Sequence, residues 1–320
     1  GRLFAHTPEP ALQLHPQDLV RRGWVEGELV RVQSRRGALV LPVQGHSSVA
    51  PAQAFIAMHW GDEFLGGTGA DGAAAAGVNA LTSGRHCPQS RQPELKHTAV
   101  RLEQAGLPHA VVAAAWLPAN DWVNARRQLQ ALMPGFGFAS CVPFGREAAE
   151  TATARVGLLF RAAGLQPASA ERLQAIERAL AVACTEGLRY ADPRGGQHRV
   201  MVLTPDGALQ AFVLAGDTAA QAWVLNLLQQ GAPAAGLGRA LLLARAEPPT
   251  ALARPSPQVC ACHDVSEAVI LAALPGCVGA GLQKLAPLQA RLRCGTDCGS
   301  CLPAVKALLQ REALAQPVPI

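Results

Sequence analysis

Hydrophobic and polar residues alternate over Val30–Gln33 within the run Glu28–Ser34, and an apolar run, Ala38–Val43, follows the turn 35–37. A two-residue period is typical of a half-buried strand, and a Gly-containing turn between two such runs is typical of a hairpin. The pattern therefore predicts a β-hairpin in which Val30 and Val32 face the same side.

A short helix is predicted just before this hairpin. His15-Pro16-Gln17-Asp18 has the residues that start a helix and Gly23 the residue that ends one, and a further strand is predicted from Ala54 to Met58. The order of loop, helix, hairpin and strand indicates a small closed or half-closed β-barrel over residues 1–106.

Residues 107–247 mix strand and helix periods, which predicts an α+β middle region. The predicted elements are a buried strand Val111–Leu117, helices Trp122–Met133 and Ser169–Cys184, a hairpin over Val200–Val213, and a helix Ala219–Gln230. Asp217 or Thr218 is expected to cap the last helix, because short oxygen-bearing side chains accept from the first amides.

A Pro-rich stretch at residues 248–257 predicts an extended linker to a last domain, residues 258–320. Ser266 is expected to cap a helix Glu267–Leu274, and Pro287 and Pro303 precede two further helical stretches, which reach Arg293 and Leu314. Helices this short bury little apolar surface, so we expect a cross-link or metal to stabilise them.

Composition narrows the classes of function. The net charge of +5 comes from scattered basic residues, which disfavours a nucleic-acid binder, and no uncharged apolar run is long enough to predict a membrane span. The start of the chain has no signal pattern and is interpreted as that of a fragment. Six of the nine cysteines follow residue 259, which favours a local metal site in a reducing cytoplasm over dispersed disulfides.

The cysteine spacing supplies the candidate metal ligands, Cys260 and Cys262 in a CxC pair and Cys298 and Cys301 in a CxxC pair. Each pair precedes a predicted helix, whose N-terminal amides and dipole stabilise thiolates. Three interpretations follow: a 2Fe-2S cluster with four cysteine ligands, a four-cysteine zinc site, and a redox disulfide of the CxxC pair alone.

Two further cysteines lie in the same segment. Cys294 is either an alternative ligand or a packed thiol, and Cys277 is not expected to be a ligand.

The segments CACHDVSEAVILAAL and RCGTDCGSCLPAVKALL together resemble the bacterioferritin-associated-ferredoxin type of 2Fe-2S domain, from residue 258 to about 314. The resemblance implies a small all-α domain with Cys260, Cys262, Cys298 and Cys301 as cluster ligands. Residues 274–281 are interpreted as an insertion relative to that family.

The N-terminal segments RLFAHTPEPALQLHPQDLVRRG, ELVRVQSRRG, HWGDEF, GVNALT and SRQPELKHTAVRLE occur in the order found in the molybdopterin oxidoreductases. Over residues 2–104 the chain resembles their C-terminal dinucleotide-binding domain, a double-psi β-barrel, and within that family it is most similar to the assimilatory nitrate reductases. The chain is interpreted as the C-terminal portion of such an enzyme.

This second resemblance implies the cofactor contacts. Asn79 and Lys96 are expected to contact the pterin, Trp60 to line the cofactor side, and Gln92 to donate to the dinucleotide, with Ser90 and Arg91 as further candidates. Cys87 stands where similar sequences commonly carry an acidic residue, and it is interpreted as a neutral replacement.

Residues 189–230 resemble a cap module of NADH-dependent nitrite reductases and rubredoxin reductases, for which we expect a structural role. The resemblances imply a molybdenum bis(molybdopterin guanine dinucleotide) and a 2Fe-2S cluster, with a 4Fe-4S cluster in sequence outside this chain. The expected reaction is nitrate to nitrite, with ferredoxin, flavodoxin or an NADH-linked flavoprotein as electron donor. No nucleic-acid or membrane partner is expected, and the fragment alone is expected to be inactive.

Two other classes of function stay open at this point. One is an electron-transfer or scaffold subunit with a degenerate pterin-type barrel. The other is a zinc-stapled interaction module without redox activity.

Overall fold

The computed structural model describes residues 7–69, 72, 74–93, 97–145, 155–182, 186–249, 256–263 and 265–315. The chain divides into two compact units, one of residues 9–143 with 147–252 and the other chiefly of residues 253–320. Among the described residues no single helix is long and apolar enough to cross a membrane, and the bent pair Glu267–Gly276 and Gly281–Leu292 meets that requirement by length and composition only.

The larger unit begins with a five-stranded sheet in the order β4-β1-β3-β2-β7. Its elements are β1 (Leu12–Leu14), α1 (Pro16–Arg22), β2 (Leu29–Gln33), β3 (Ala38–Gly45), β4 (Ala54–Phe55) and β7 (Arg101–Gln104). The predicted hairpin is confirmed as β2 and β3, and both Val30 and Val32 are fully buried. The predicted strand Ala54–Met58 is confirmed only for its first two residues.

The predicted ends of α1 are confirmed. The ring nitrogen Nδ1 of His15 accepts from the amide of Gln17, and Gly23 ends the helix with a left-handed φ of 65°. A residue without a Cβ adopts this conformation without steric cost, which is why glycine commonly follows a helix.

An eight-stranded sheet follows, in the order β11-β12-β13-β8-β10-β9-β5-β6. Its strands are β5 (Leu65–Thr68), β6 (Ala74–Ala76), β8 (His109–Pro118), β9 (Phe138–Phe144), β10 (Arg155–Gly164), β11 (Leu188–Asp192), β12 (Gln197–Leu203) and β13 (Leu209–Gly216). Leu65 of β5 pairs with Ser140 of β9, so one sheet includes strands from both sides of the predicted boundary at residue 106. That boundary stays a prediction.

The middle part of this sheet has a recognisable topology. β8, α2 (Trp122–Leu132), β9, β10, α3 (Ala170–Ala179) and β13 follow one another, with the spatial order β13-β8-β10-β9. This is the β-α-β-β-α-β arrangement of ferredoxin-like folds, with β11 and β12 inserted at one edge. The predicted α+β character is confirmed for these residues.

Helices cover both faces of the sheet. Leu129 of α2 and Ile176 of α3 belong to one fully buried core with Ala113 and Ala115 of β8. On the other side α4 (Gln221–Gln230) packs on β13 and β8, and the indole nitrogen of Trp116 donates to the carbonyl of Leu228 at 2.9 Å. Burial on both sides explains why β8 reads as an uninterrupted apolar run.

Two predicted helix ends were wrong. The helix predicted to reach Cys184 ends at Ala179, because Ala181 adopts a left-handed φ of 57° and the amide of Val182 donates to Glu177; Cys184 itself lies outside the described residues. The last helix starts at Gln221 instead of Ala219, and Asp217 accepts from the amide of Ala219 before the helix begins.

A buried carboxylate fixes α3 to the edge of the sheet. Glu177 is 4% exposed, and its two oxygens lie 2.7 Å from Nη1 of Arg189 on β11 and 2.6 Å from Nε2 of His198 on β12. A buried charge is tolerated when it is paired and hydrogen-bonded at distances such as these.

Among its described residues the smaller unit has a core of 13 buried residues that includes Ile270, Leu288, Val305 and Leu309. Its elements are β14 (Gln258–Cys260), β15 (Val265–Ser266), α5 (Glu267–Ala273), α6 (Leu285–Leu292) and α7 (Leu302–Ala315). The three predicted helices and the Ser266 cap are confirmed, but the second helix begins at Leu285, so Pro287 lies in its first turn and does not precede it. The all-α prediction is not confirmed, because residues 258–260 and 265–266 pair as two short strands.

Candidate functional site

Asn79 lies in a 3-10 turn, Val78–Leu81, that close backbone contacts position. Gly77 precedes the turn with φ 61° and ψ 168°, a conformation that only glycine adopts freely. A Cβ on Gly77 would come within 2.9 Å of backbone atoms of Gly61 and Asp62, and a Cβ on Gly37 within 2.9 Å of the Ala80 carbonyl oxygen. The turn therefore fits against two other backbone segments without side chains between them.

Trp60 helps to hold this turn in place. Its side chain is fully buried and contacts the rings of His59 and Phe64, and its carbonyl oxygen accepts from the amide of Val78 at 2.9 Å. Trp60 thus positions the Asn79 turn through the backbone.

A cavity of about 130 Å³ opens beside Asn79. Its polar lining residues are Asn79, Thr82, His97 and Thr98, and its apolar lining comes from β1, β2 and the segment around Ile56 and Met58. Thr82 Oγ1 donates to the carbonyl of Asn79, and Thr98 Oγ1 donates to that of Leu81. The hydroxyls therefore hold the turn as well as facing the cavity.

The size of the cavity limits what it can hold. Pockets for whole drug-sized ligands have volumes of about 300 to 1,000 Å³. A cavity of about 130 Å³ accommodates one ring or one phosphate of a dinucleotide, and Asn79 can both donate to and accept from such a group. The donor set is suited to part of a dinucleotide, and the remainder must contact other residues.

The other residues predicted from the sequence lie differently. Gln92 is exposed in a closed turn, where its carbonyl oxygen accepts from the amide of Cys87 at 2.9 Å and its amide donates to Ser90. Neither Gln92 nor Trp60 is among the residues that line the cavity. Lys96 lies outside the described residues, directly before the lining residue His97.

His97 and Thr98 line the cavity although the sequence did not predict them as site residues. Their only signal in the sequence is their position directly after Lys96, within the SRQPELKHTAVRLE segment. That they reach the cavity of Asn79 depends on how the chain returns from β6 to β7.

The four candidate ligand cysteines form two pairs. Cys262 and Cys298, which we call the outer pair, are exposed, and their sulfurs are 3.4 Å apart. Cys260 and Cys301, the inner pair, are 2% and 3% exposed and are hydrogen-bonded to each other. Each pair joins one cysteine of the CxC motif to one of the CxxC motif.

The two pairs differ in electrostatics. The hydroxyl of Ser300, 3.0 Å from the sulfur of Cys298, lowers the pKa of that thiol, whereas hydrogen bonding to Cys298 raises the pKa of Cys262. Burial raises the pKa of Cys301 to about 11, with the Cys260 thiol as the next cause. Cys298 is therefore the more readily ionised thiol of the outer pair, and burial favours the protonated form of Cys301.

The outer pair is flanked by a side-chain contact between neighbouring residues. His263 follows Cys262 and Asp297 precedes Cys298, and Nε2 of His263 lies 3.0 Å from Oδ2 of Asp297. The contact joins the two segments that carry the outer cysteines.

The separation of the outer sulfurs is compatible with a shared metal ion. Two sulfurs on one tetrahedral ion with bonds of about 2.3 Å lie about 3.8 Å apart, close to the separation of the outer pair. A 2Fe-2S cluster, in which each iron takes two cysteines, uses two such pairs.

Cys294 and Cys277 occupy the core of the same unit. Cys294 is fully buried, and its pKa is raised by burial and then by the proximity of Cys260. Cys277 is 7% exposed and donates its thiol hydrogen to the carbonyl of Ala273 at 3.4 Å. Both therefore resemble packed neutral thiols.

Comparisons with known proteins agree with both sites. A family model described as a molydopterin dinucleotide binding domain matches residues 2–99, and one described as a BFD-like [2Fe-2S] binding domain matches residues 258–311. The polar residues that line the cavity of Asn79 and the two cysteine pairs lie within these matches. The chain therefore carries a molybdopterin dinucleotide-binding domain and a BFD-like 2Fe-2S domain.

Individual relatives cover different parts of the chain. A nitrate reductase of Klebsiella oxytoca is 28% identical over 318 residues, 98% of this chain and 32% of the relative. A nitrate reductase of Synechocystis is 43% identical over 70 residues, 22% of this chain and 9% of the relative. The large subunit of an Escherichia coli NADH nitrite reductase is 34% identical over 65 residues, 20% of this chain and 7% of the relative. The chain thus spans about a third of the length of the Klebsiella relative.

Proposed function

We propose that this chain, with its molybdopterin dinucleotide-binding domain and its BFD-like 2Fe-2S domain, is part of a molybdenum-dependent nitrate reductase of the assimilatory type. The observation that carries the proposal is the presence of both domains in one chain that aligns with a nitrate reductase over 318 residues. A cofactor-binding domain for substrate chemistry and a cluster domain for electron entry are the two parts that a reductase needs.

In this proposal the cavity beside Asn79 receives one end of the dinucleotide. Asn79, Thr82, His97 and Thr98 supply donors and acceptors, Lys96 and Gln92 are further contacts, and Trp60 supports the turn. When bound, the molybdenum cofactor supplies two-electron chemistry in which nitrate, two protons and two electrons give nitrite and water.

The fold proposal is that the five-stranded sheet of β4-β1-β3-β2-β7 forms part of a double-psi β-barrel. The domain limits proposed above, residues 1–106, 107–247 and 258–320, belong to the same proposal.

The cluster domain serves as the electron entry. Cys260, Cys262, Cys298 and Cys301 hold the 2Fe-2S cluster, whose electrons come from a ferredoxin, a flavodoxin or an NADH-linked flavoprotein in the cytoplasm. The match of residues 258–311 to a BFD-like [2Fe-2S] binding domain supports this assignment over a zinc staple, and the paired sulfurs are compatible with it.

The test uses the protein purified without oxygen in its natural length. We expect molybdenum, iron and acid-labile sulfide, a reduced-state EPR signal of a 2Fe-2S cluster, and nitrate-dependent oxidation of reduced methyl viologen. Zinc in place of iron, with no EPR signal, would support an interaction module instead. Iron and sulfide without molybdenum or nitrate turnover would support an electron-transfer subunit with a degenerate barrel.

A further inference from the structure

We propose that the two cysteine pairs have different tasks: the outer pair, Cys262 and Cys298, forms the electron-accepting end of the module with the Ser300 hydroxyl, and the inner pair, Cys260 and Cys301, forms its anchor. The inference rests on the proposed 2Fe-2S function and adds to it the end of the module at which electrons enter. An electron carrier that approaches the module meets the outer pair first.

Burial is the first argument. Both outer cysteines are exposed, whereas the inner cysteines are only 2% and 3% exposed and pack among Val259, Ile270 and Val305. An added electron is an added negative charge, and a charge costs far less free energy beside water than among apolar side chains. The reduced state is therefore favoured at the outer end.

A directed hydrogen bond is the second argument. The oxygen of Ser300 lies 3.0 Å from the sulfur of Cys298. A metal-bound thiolate carries no proton, so the hydroxyl must be the donor in the loaded module. Hydrogen bonds to ligand sulfurs stabilise negative charge and are among the features that set the reduction potential of an iron-sulfur site.

The contact between His263 and Asp297 supplies a third, geometric argument. It lies next to both outer cysteines in sequence and joins the two segments that carry them. The exposed end of the module is therefore held in place although solvent surrounds it, which keeps the distance to a docked donor constant.

The test is a redox titration of the cluster in the purified protein, monitored by the EPR signal of the reduced state. Ser300→Ala removes the donor to Cys298, so its midpoint potential should shift to a more negative value. Ser300→Thr keeps a hydroxyl and should have the same midpoint potential as the unsubstituted protein. Ser256→Ala is the matched control, because that hydroxyl accepts from the amide of Ala268 in the same unit and should leave the potential unchanged.

A measurement on the unsubstituted protein is independent of variant folding. After exchange into D₂O, ENDOR of the reduced state should show a strongly coupled deuteron from the Ser300 hydroxyl. Absence of that coupling, or a Ser300→Ala potential equal to that of the unsubstituted protein, would overturn the inference while an intact 2Fe-2S signal leaves the proposed function standing. Zinc in the unsubstituted protein would overturn both.

Discussion

The amide of Val78 donates to the carbonyl oxygen of Trp60 at 2.9 Å, so a fully buried aromatic residue holds the turn that presents Asn79. Asn79 is predicted to contact the cofactor and Trp60 to line its side of the fold, and the two residues lie differently relative to the cavity. Asn79 faces the cavity, and Trp60 acts through the backbone of its neighbour.

The fit of this turn predicts a large cost for a methyl group at Gly77. Gly77→Ala should lower the free energy of unfolding by about 3 kcal/mol, from backbone strain and overlap with Gly61 and Asp62. Gly106→Ala is the control, because Gly106 has the same φ of 61° with nothing within 4 Å, and it should cost about 1 kcal/mol.

Urea unfolding followed by tryptophan fluorescence measures this difference in the larger unit alone. All five tryptophans, at positions 24, 60, 116, 122 and 223, lie in that unit. Equal costs for the two substitutions would show that the close approach at Gly77 is not retained in solution.

The buried thiol of Cys141 predicts that the free energy of unfolding decreases as the pH becomes alkaline. Burial in β9 raises the pKa of this thiol from its ordinary value of 9.0 to about 12, against a smaller lowering by Arg126. Between pH 9 and about 12 the unfolded chain loses a proton that the folded chain keeps, so stability decreases as pH rises through this range.

The advantage of the unsubstituted chain over Cys141→Ala should therefore shrink by about 1.4 kcal/mol between pH 8 and pH 10, the free energy that corresponds to one pKa unit. The same fluorescence-detected urea titration, repeated at both pH values, checks this. A difference that is independent of pH would mean that the thiol ionises in the folded state with its ordinary pKa.

The contact between Lys284 and Glu312 is expected to stabilise the packing of α7 in the smaller unit. Lys284 is 6% exposed, and its Nζ lies 2.8 Å from Oε1 of Glu312. Removing one partner strands the other charge, so Lys284→Met should destabilise the helix by about 3 kcal/mol. Lys306→Met, on the exposed side of the same helix, is the control.

Hydrogen exchange of α7 peptides reports this local cost without assuming that the two units unfold together. Exchange should accelerate roughly 100-fold in Lys284→Met and little in Lys306→Met. The double variant Lys284→Met with Glu312→Leu should recover most of the protection, because a paired apolar replacement leaves no stranded charge. Unchanged exchange in Lys284→Met would contradict the contact.

The cysteines predict a clear division in iron content. Alanine at Cys260, Cys262, Cys298 or Cys301 removes one of two sulfurs in a pair and should reduce bound iron and sulfide. Alanine at Cys294 or Cys277 should leave the iron content unchanged, because neither belongs to the CxC or the CxxC motif and the thiol of Cys277 is hydrogen-bonded to the carbonyl of Ala273. Loss of iron on Cys294→Ala with retained helicity by circular dichroism would identify Cys294 as a ligand.

Much of the secondary structure of this protein could be predicted from residues that are close together in the sequence. The ends of α1 at His15 and Gly23, the hairpin of Val30 and Val32, and the cap at Ser266 depend on residues a few positions apart, and the structure has them as predicted. The spacing of the four cysteines likewise indicated a metal site before any contact was known.

Tertiary structure decided what depends on residues far apart in the chain. The pairing of Cys262 with Cys298, 36 residues away, the exposure of that pair against the burial of Cys260 and Cys301, and the approach of His97 and Thr98 to Asn79 are of this kind. Spacing predicts which residue types can bind a metal or a phosphate. Which of them meet, and on which side water reaches them, is set by how separate segments pack, and no local pattern encodes that.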